Sequence, residues 1–155
     1  LTLAAINVLD EDPDGFVLMV EGGAIDWANH SNQTGRMIEE TLSFNEAIQA
    51  ACQWVEANGG WEENLIIITA DHECGGLGKP DSKKGLEPAI NKGKGQVPDV
   101  QWYSGGHTNS LVPVFVKGAG SELFKLVADQ HDPVRGAYLD NTEIPLVMMR
   151  AMQPH

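Results

Sequence analysis

The chain has 155 residues, 42% of them apolar and 21% charged, with a formal net charge of −12. That size and composition suit one globular domain with a real core and exclude a disordered chain. The acidic balance argues against a nucleic-acid partner, which selects for a basic face, and no apolar run reaches membrane-spanning length. An acidic chain that handles an anionic substrate needs a cation, and a bound divalent metal supplies one. Two cysteines, Cys52 and Cys74, are too few for a disulfide framework and match no zinc-knuckle spacing. They leave the redox compartment open.

The first nine residues are apolar and read as the end of a helix. They show no basic segment followed by an apolar one, so no signal peptide is expected. The chain does not begin with Met and reads as starting in mid-protein. Residues 10–15 (DEDPDG) have turn chemistry. Residues 16–20 (FVLMV) form a continuous apolar run, which predicts a strand buried on both faces, and Glu21-Gly22-Gly23 ends it. A helix is predicted over 44–58, where Phe44, Ala47, Ile48, Ala51, Cys52 and Val55 share one stripe. Ser43 and Glu46 have capping-box spacing, and Gly59 stands where a helix-ending glycine belongs. Residues 65–69 (LIIIT) predict a second buried strand. Residues 112–116 (VPVFV) predict a third, near an edge because of Pro113. Between them, 78–105 reads as a long loop, locally basic at Lys83, Lys84, Lys92 and Lys94. Residues 122–128 suit a helix, and Asn141 is placed to cap a last helix reaching about 152. Strand, helix, strand with apolar strands predicts an α/β fold with a largely parallel sheet, whose sites lie beyond the carboxyl ends of the strands.

Several side chains at those ends have the chemistry of metal ligands. Asp26 and His30 are four apart, so on a helix they face one cation together; on spacing alone a surface pair or helix cap is the plainer account, and their place after a buried strand and a Gly-Gly turn favours a site. Asp71-His72 follow LIIIT, though an aspartate capping a turn beside an exposed histidine is the plainer account of such a pair. Glu73, Cys74, Gly75 and Gly76 come next, an unusual loop composition. His107 follows two glycines that permit close backbone approach. Glu21 ends the first apolar run and could serve a hard, oxygen-preferring ion such as magnesium. His131 and His155 read as surface residues. The chain has no P-loop, no dinucleotide glycine motif and no nucleophile elbow.

Taken together and in order, MVEGGAIDWANH (19–30), TADHE (69–73) and GGHT (105–108) closely resemble the alkaline phosphatases over nearly the whole chain, matching only the C-terminal portion of those enzymes. The resemblance implies a three-layer αβα fold, here an incomplete portion of it, spanning 1–155. It implies that Asp26, His30 and His107 hold a first zinc, that Asp71 and His72 hold part of a second, and that Glu21 holds part of a magnesium site. Trp27, after the metal aspartate, would lie near the phosphate, and Trp there resembles a bacterial subgroup. Thr34, Glu39 and Asn141 receive no role.

The departures from the family pattern carry equal weight. The serine nucleophile, an aspartate bridging zinc and magnesium, the other magnesium ligands and a phosphate-clamping arginine belong to a segment missing here. Arg36, Arg135 and Arg150 sit in no matching motif, and Ser104 and Ser110 do not match the nucleophile motif. Two metals clamping an in-line displacement imply a zinc- and magnesium-dependent phosphomonoester hydrolase. This chain would supply metal ligands but no nucleophile, and would be inactive alone. A phosphodiesterase, phosphomutase or sulfatase with the same metal core is the alternative, and a non-catalytic metal-binding fragment another. Periplasmic or secreted location follows from the family alone. Because His107 precedes the third strand yet must reach the edge that Asp71 follows, that strand is expected to run antiparallel to the other two, or the loop from Thr108 to Leu111 to fold back over the edge. An exposed sheet edge is expected to promote self-association, such as a homodimer.

Overall fold

The computed structural model describes residues 1–82 and 87–153. The readings made for Lys83, Lys84 and His155 lie outside these residues. In chain order the elements are α1 (Thr2–Leu9), α2 (Ala24–His30), α3 (Thr34–Ala57), α4 (Gly60–Glu63), β1 (Leu65–Ile68), β2 (Glu73–Cys74), β3 (Leu77–Gly78), β4 (Gln101–Trp102), β5 (His107–Thr108), β6 (Phe115–Gly118), α5 (Leu123–Val127), β7 (Gln130–Asp132), β8 (Gly136–Tyr138) and α6 (Glu143–Ala151). Contacts group them into two compact units, Leu1–Ala51 with His72–Ser110, and Cys52–Asp71 with Leu111–His155.

In the first unit, the apolar opening segment forms α1 and buries Ile6. The following turn is tightened by Asp12, whose carboxylate accepts from the Asp14 amide at 2.9 Å. The strand expected at 16–20 does not form. Phe16 and Leu18 are half-buried while Val17, Met19 and Val20 are exposed, Met19 at 86%. A run apolar on both faces needs cover on both to be a buried strand, and this run is covered on one side at most.

α3 starts ten residues before the predicted helix. Arg36, Met37, Glu39, Glu40 and Leu42 are good helix formers, and Arg36 pairs with Glu40 one turn on at 3.5 Å. Ser43 therefore sits inside the helix, and the expected capping box with Glu46 is not made. Phe44 on this helix packs against Gly22, where a Cβ would stand 3.0 Å from its ring. That contact fixes the turn leading into α2. The described residues of the 78–105 stretch include paired segments. β3 pairs antiparallel with β4, and Ile90 bridges Asp99. Lys92 pairs with Asp99 at 3.0 Å and Lys79 with Glu87 at 2.9 Å.

In the second unit, β1 pairs antiparallel with β6 in the register Leu65↔Gly118 to Ile68↔Phe115. The antiparallel direction is the one expected from the position of His107. β6 starts three residues later than the predicted strand, beyond Pro113, which has no amide to give the ladder. Pro113 instead accepts a hydrogen bond from the Thr69 hydroxyl at 3.2 Å. The other end of the ladder requires a glycine. Gly118 has φ +112, and a Cβ there would come 1.9 Å from the Asn64 carbonyl oxygen. Gly59, at φ 77, ends α3 as expected, and Asn64 donates to the Asn58 and Gly60 carbonyls beyond it.

α5 and α6 pack together, burying Phe124 and Val147. α6 starts at Glu143 behind Thr142, not at Asn141. Asp140 accepts from the Thr142 amide and hydroxyl, and Glu143 accepts from the Asp140 amide. The β7–β8 hairpin was not anticipated; Asp132 caps its turn by accepting from the Val134 and Arg135 amides. His131, on β7, is exposed as expected. Every strand pair among the described residues is antiparallel. With no strand formed at 16–20, strand, helix and strand around α3 give no parallel pair among the described residues.

Candidate metal centre

α2 follows the Gly22-Gly23 turn and places Asp26 and His30 on one face, one turn apart. β2 and β5 bring in the rest. Their register sets Cys74 directly opposite His107, so both side chains leave the same face of the ribbon. β2 lies against α2. Among the described residues, the ligand atoms of Asp26, His30, Cys74 and His107 all fall within 4.8 Å of one another.

Three of these side chains stand at nearly equal separations and form a triangle. The His30 and His107 Nε2 atoms are 3.0 Å apart. The Asp26 carboxylate spans the other two sides, with Oδ1 at 3.2 Å from His107 Nε2 and Oδ2 at 3.3 Å from His30 Nε2. A tetrahedral zinc with bonds of about 2.0–2.1 Å spaces its ligands by about 3.3–3.4 Å. The triangle is therefore close to one face of such a coordination sphere. His30 is also oriented for the task. Its Nδ1–H donates to the Gly105 carbonyl at 2.8 Å. A carbonyl only accepts, so the neutral ring carries its lone pair on Nε2, toward the triangle, as metal-binding histidines require.

Burial acts to raise the Asp26 carboxyl. The Cys74 thiol and the His30 and His107 rings outweigh it and hold the group below its ordinary value, ready as an anionic ligand. The Asp26, His30 and His107 side chains are 34%, 39% and 45% exposed, so the triangle is open to solvent. Cys74 lies at 6% exposure on the buried side, and its thiol donates weakly to the Asp26 carbonyl at 3.9 Å. Burial and the neighbouring carboxylates push that thiol up to about 12.

A polar frame holds the ribbon. Glu73 accepts from the Gly76 amide at 2.8 Å and from the Thr108 hydroxyl, tying the turn after β2 to β5. Gly75 donates to the Gly106 carbonyl at 3.0 Å, and Ser104 donates back to the Gly75 carbonyl at 3.0 Å. Close approach falls at Gly75 and not at the two glycines before His107. A Cβ at Gly75 would be 2.5 Å from the Trp102 ring, whereas one at Gly105 would meet only ordinary contact at 3.5 Å.

The remaining sequence candidates stand outside the four-ligand group. The His72 ring stacks on His107 with centroids 3.5 Å apart. Asp71 belongs to the second unit, three residues past β1. Glu21 is exposed and lines a depression with Glu40, Ser43 and Phe44. Trp27 is 72% exposed beside Asp26 on α2. Cys74 is the member of the group that sequence reasoning missed. What brings it in is its cross-strand pairing with His107, a contact between residues far apart in the chain.

The alkaline phosphatase family model matches residues 1–97. Alkaline phosphatase 3 of Bacillus subtilis is 27% identical over 99% of this chain and 43% of its own length. The alkaline phosphatase of Escherichia coli is 32% identical over 85% of this chain and 29% of its own. Among solved structures, the alkaline phosphatase from the Antarctic bacterium TAB5 superposes with a TM-score of 0.70 at 30% identity, covering 96% of this chain and 38% of that one. A mutant of it with magnesium bound gives 0.72 at 28% identity over 97% and 40%. The chain thus spans about two-fifths of the length of the first relatives it matches, and its fold is the corresponding portion of theirs. This chain belongs to the alkaline phosphatase family.

Proposed function

We propose that this chain is the metal-binding portion of a zinc- and magnesium-dependent phosphomonoester hydrolase. The observation that carries the proposal is the triangle of Asp26, His30 and His107, spaced as one face of a tetrahedral ion and open to solvent. In this reading those three residues hold one zinc, and Asp71 and His72 contribute to a second. Glu21 contributes to a magnesium, and Trp27 borders the phosphate. Zinc here would act as a Lewis acid on a phosphoryl oxygen and lower the pKa of bound water. No serine of this chain matches the family's nucleophile, so the chain alone is inactive. The decisive measurement is zinc titration of the full-length protein, with hydrolysis of an aryl phosphate followed in parallel. His107→Ala should lower zinc affinity by more than the about 10–100-fold typical of outer-shell changes and abolish turnover. Unchanged zinc affinity in that variant would refute the assignment. Zinc-dependent turnover by the isolated chain, abolished by the same substitution, would refute its inactivity.

Two further parts of the proposal concern surroundings. Exposed Val17, Met19 and Val20 support self-association of the isolated chain; a monomer by light scattering would contradict it. Location in the periplasm or outside the cell rests on kinship with the family, and cell fractionation tests it. No helix among the described residues is long and apolar enough to cross a membrane.

A further inference from the structure

We infer that Cys74 is a fourth protein ligand, so that the centre formed with Asp26, His30 and His107 takes a thiophilic divalent cation on a nitrogen, oxygen and sulfur donor set. The inference rests on the metal reading above and deepens it. Three facts of position carry it. Cys74 is the register partner of His107, so their side chains start from adjacent points on one face of the β2–β5 ribbon. Its sulfur shares a 4.8 Å neighbourhood with the other three ligand atoms. It approaches from the protein side, at 6% exposure, while the triangle faces solvent.

A zinc–sulfur bond is about 2.3 Å long and the zinc–nitrogen bonds about 2.0–2.1 Å. Sulfur–nitrogen separations at a tetrahedral ion are then about 3.5–3.6 Å. Closing the group from within 4.8 Å to that spacing takes shifts of the order of one ångström, which a side-chain rotation supplies. The thiol already faces Asp26, donating weakly to its carbonyl at 3.9 Å and interacting with its carboxylate.

Coordination balances simply. The ion accepts a sulfur lone pair, the S–H bond breaks, and the proton leaves to solvent. No oxidant or reductant is involved. A metal-bound thiol is deprotonated outright, so binding releases one proton more in the native protein than in a variant lacking the sulfur. Sulfur in the donor set favours zinc, cobalt or cadmium and disfavours magnesium, which prefers an all-oxygen octahedron. Four protein ligands also make a closed site, so a phosphate oxygen would enter only by expansion to five-coordination.

Cobalt titrated into the full-length protein reads out the sulfur directly. A near-ultraviolet sulfur-to-cobalt charge-transfer band is expected in the native protein and in Cys52→Ser. In Cys74→Ser the band should vanish and cobalt affinity fall at least about 10-fold. X-ray absorption at the cobalt edge of the unmutated protein needs no variant to fold, and should count one sulfur neighbour. Cobalt bound without the band, or without a sulfur neighbour, and lost in His107→Ala, overturns the role of Cys74 while leaving the metal centre standing. Cobalt that fails to bind overturns both.

Discussion

Replacing Gly75 with alanine tests whether the turn after β2 sets the geometry of the centre. A Cβ there would stand 2.5 Å from two atoms of the Trp102 ring and 3.1 Å from the Asn29 carbonyl, on a backbone with φ +88. The left-handed conformation alone costs an alanine about 1–2 kcal/mol. Forcing a methyl into the ring adds about 1–3 kcal/mol, because the indole N–H is anchored on the Thr34 hydroxyl at 2.9 Å. The sum, about 2–5 kcal/mol, is a large part of a domain's usual ~5–15 kcal/mol. Gly93→Ala separates the two contributions. It has φ +98 with nothing within 4 Å, so it carries backbone strain and no clash. In urea unfolding, Gly75→Ala should fall below Gly93→Ala by about 1–3 kcal/mol, and adding Trp102→Ala should recover part of the gap. Zinc titration gives the second readout. Gly75 adjoins Cys74 and bonds Gly106, the neighbour of His107. Its variant should therefore lose about 10–100-fold in zinc affinity, while Gly93→Ala keeps it. Equal destabilisation in the two variants, or full zinc affinity in a destabilised Gly75→Ala, would refute the reasoning.

Two further outcomes follow from the second unit. Phe124, 4% exposed between α5 and α6, should cost about 3–5 kcal/mol when truncated to alanine. Leu126, 69% exposed on the same helix, should cost no more than about 0.5 kcal/mol; similar melting temperatures for the two variants would contradict the packing described. The Arg135 and Val134 amides hold the Asp132 carboxyl below its ordinary value. A depressed carboxyl stabilises the folded state above its unfolded value of about 3.9, and that contribution is lost as pH falls through the lower folded value. The Val134 and Arg135 amide resonances should thus report a midpoint below about 3.9, absent in Asp132→Asn. A midpoint at or above the ordinary value would overturn the hairpin cap.

The residues themselves show what a sequence discloses. The Asp26 and His30 pair needed only a helical turn after Gly-Gly to face one way, and α2 supplies it; β1 was legible because LIIIT is an apolar, β-branched run. The start of α3 was misplaced because the apolar stripe begins at Phe44, while the preceding turns are held by propensity and the Arg36–Glu40 pair. The 16–20 run reads as a buried strand, yet burial and pairing are properties of neighbours. Cys74 was passed over for the same reason. Its chemistry depends on a residue 33 positions later becoming its cross-strand partner, and no short-range pattern encodes that pairing. The order of the three motifs was what joined individually ordinary residues into one candidate site.

The contact between His30 and His107 joins points 77 residues apart. Holding the ends of so long a segment together costs a flexible chain about 4 kcal/mol of configurational freedom. An ion seated there behaves as a reversible cross-link between distant stretches of chain. Its hold on the fold then grows with the logarithm of the free ion concentration. The first unit would be a reporter of metal supply, firm where zinc is plentiful and slack where a chelator has taken it.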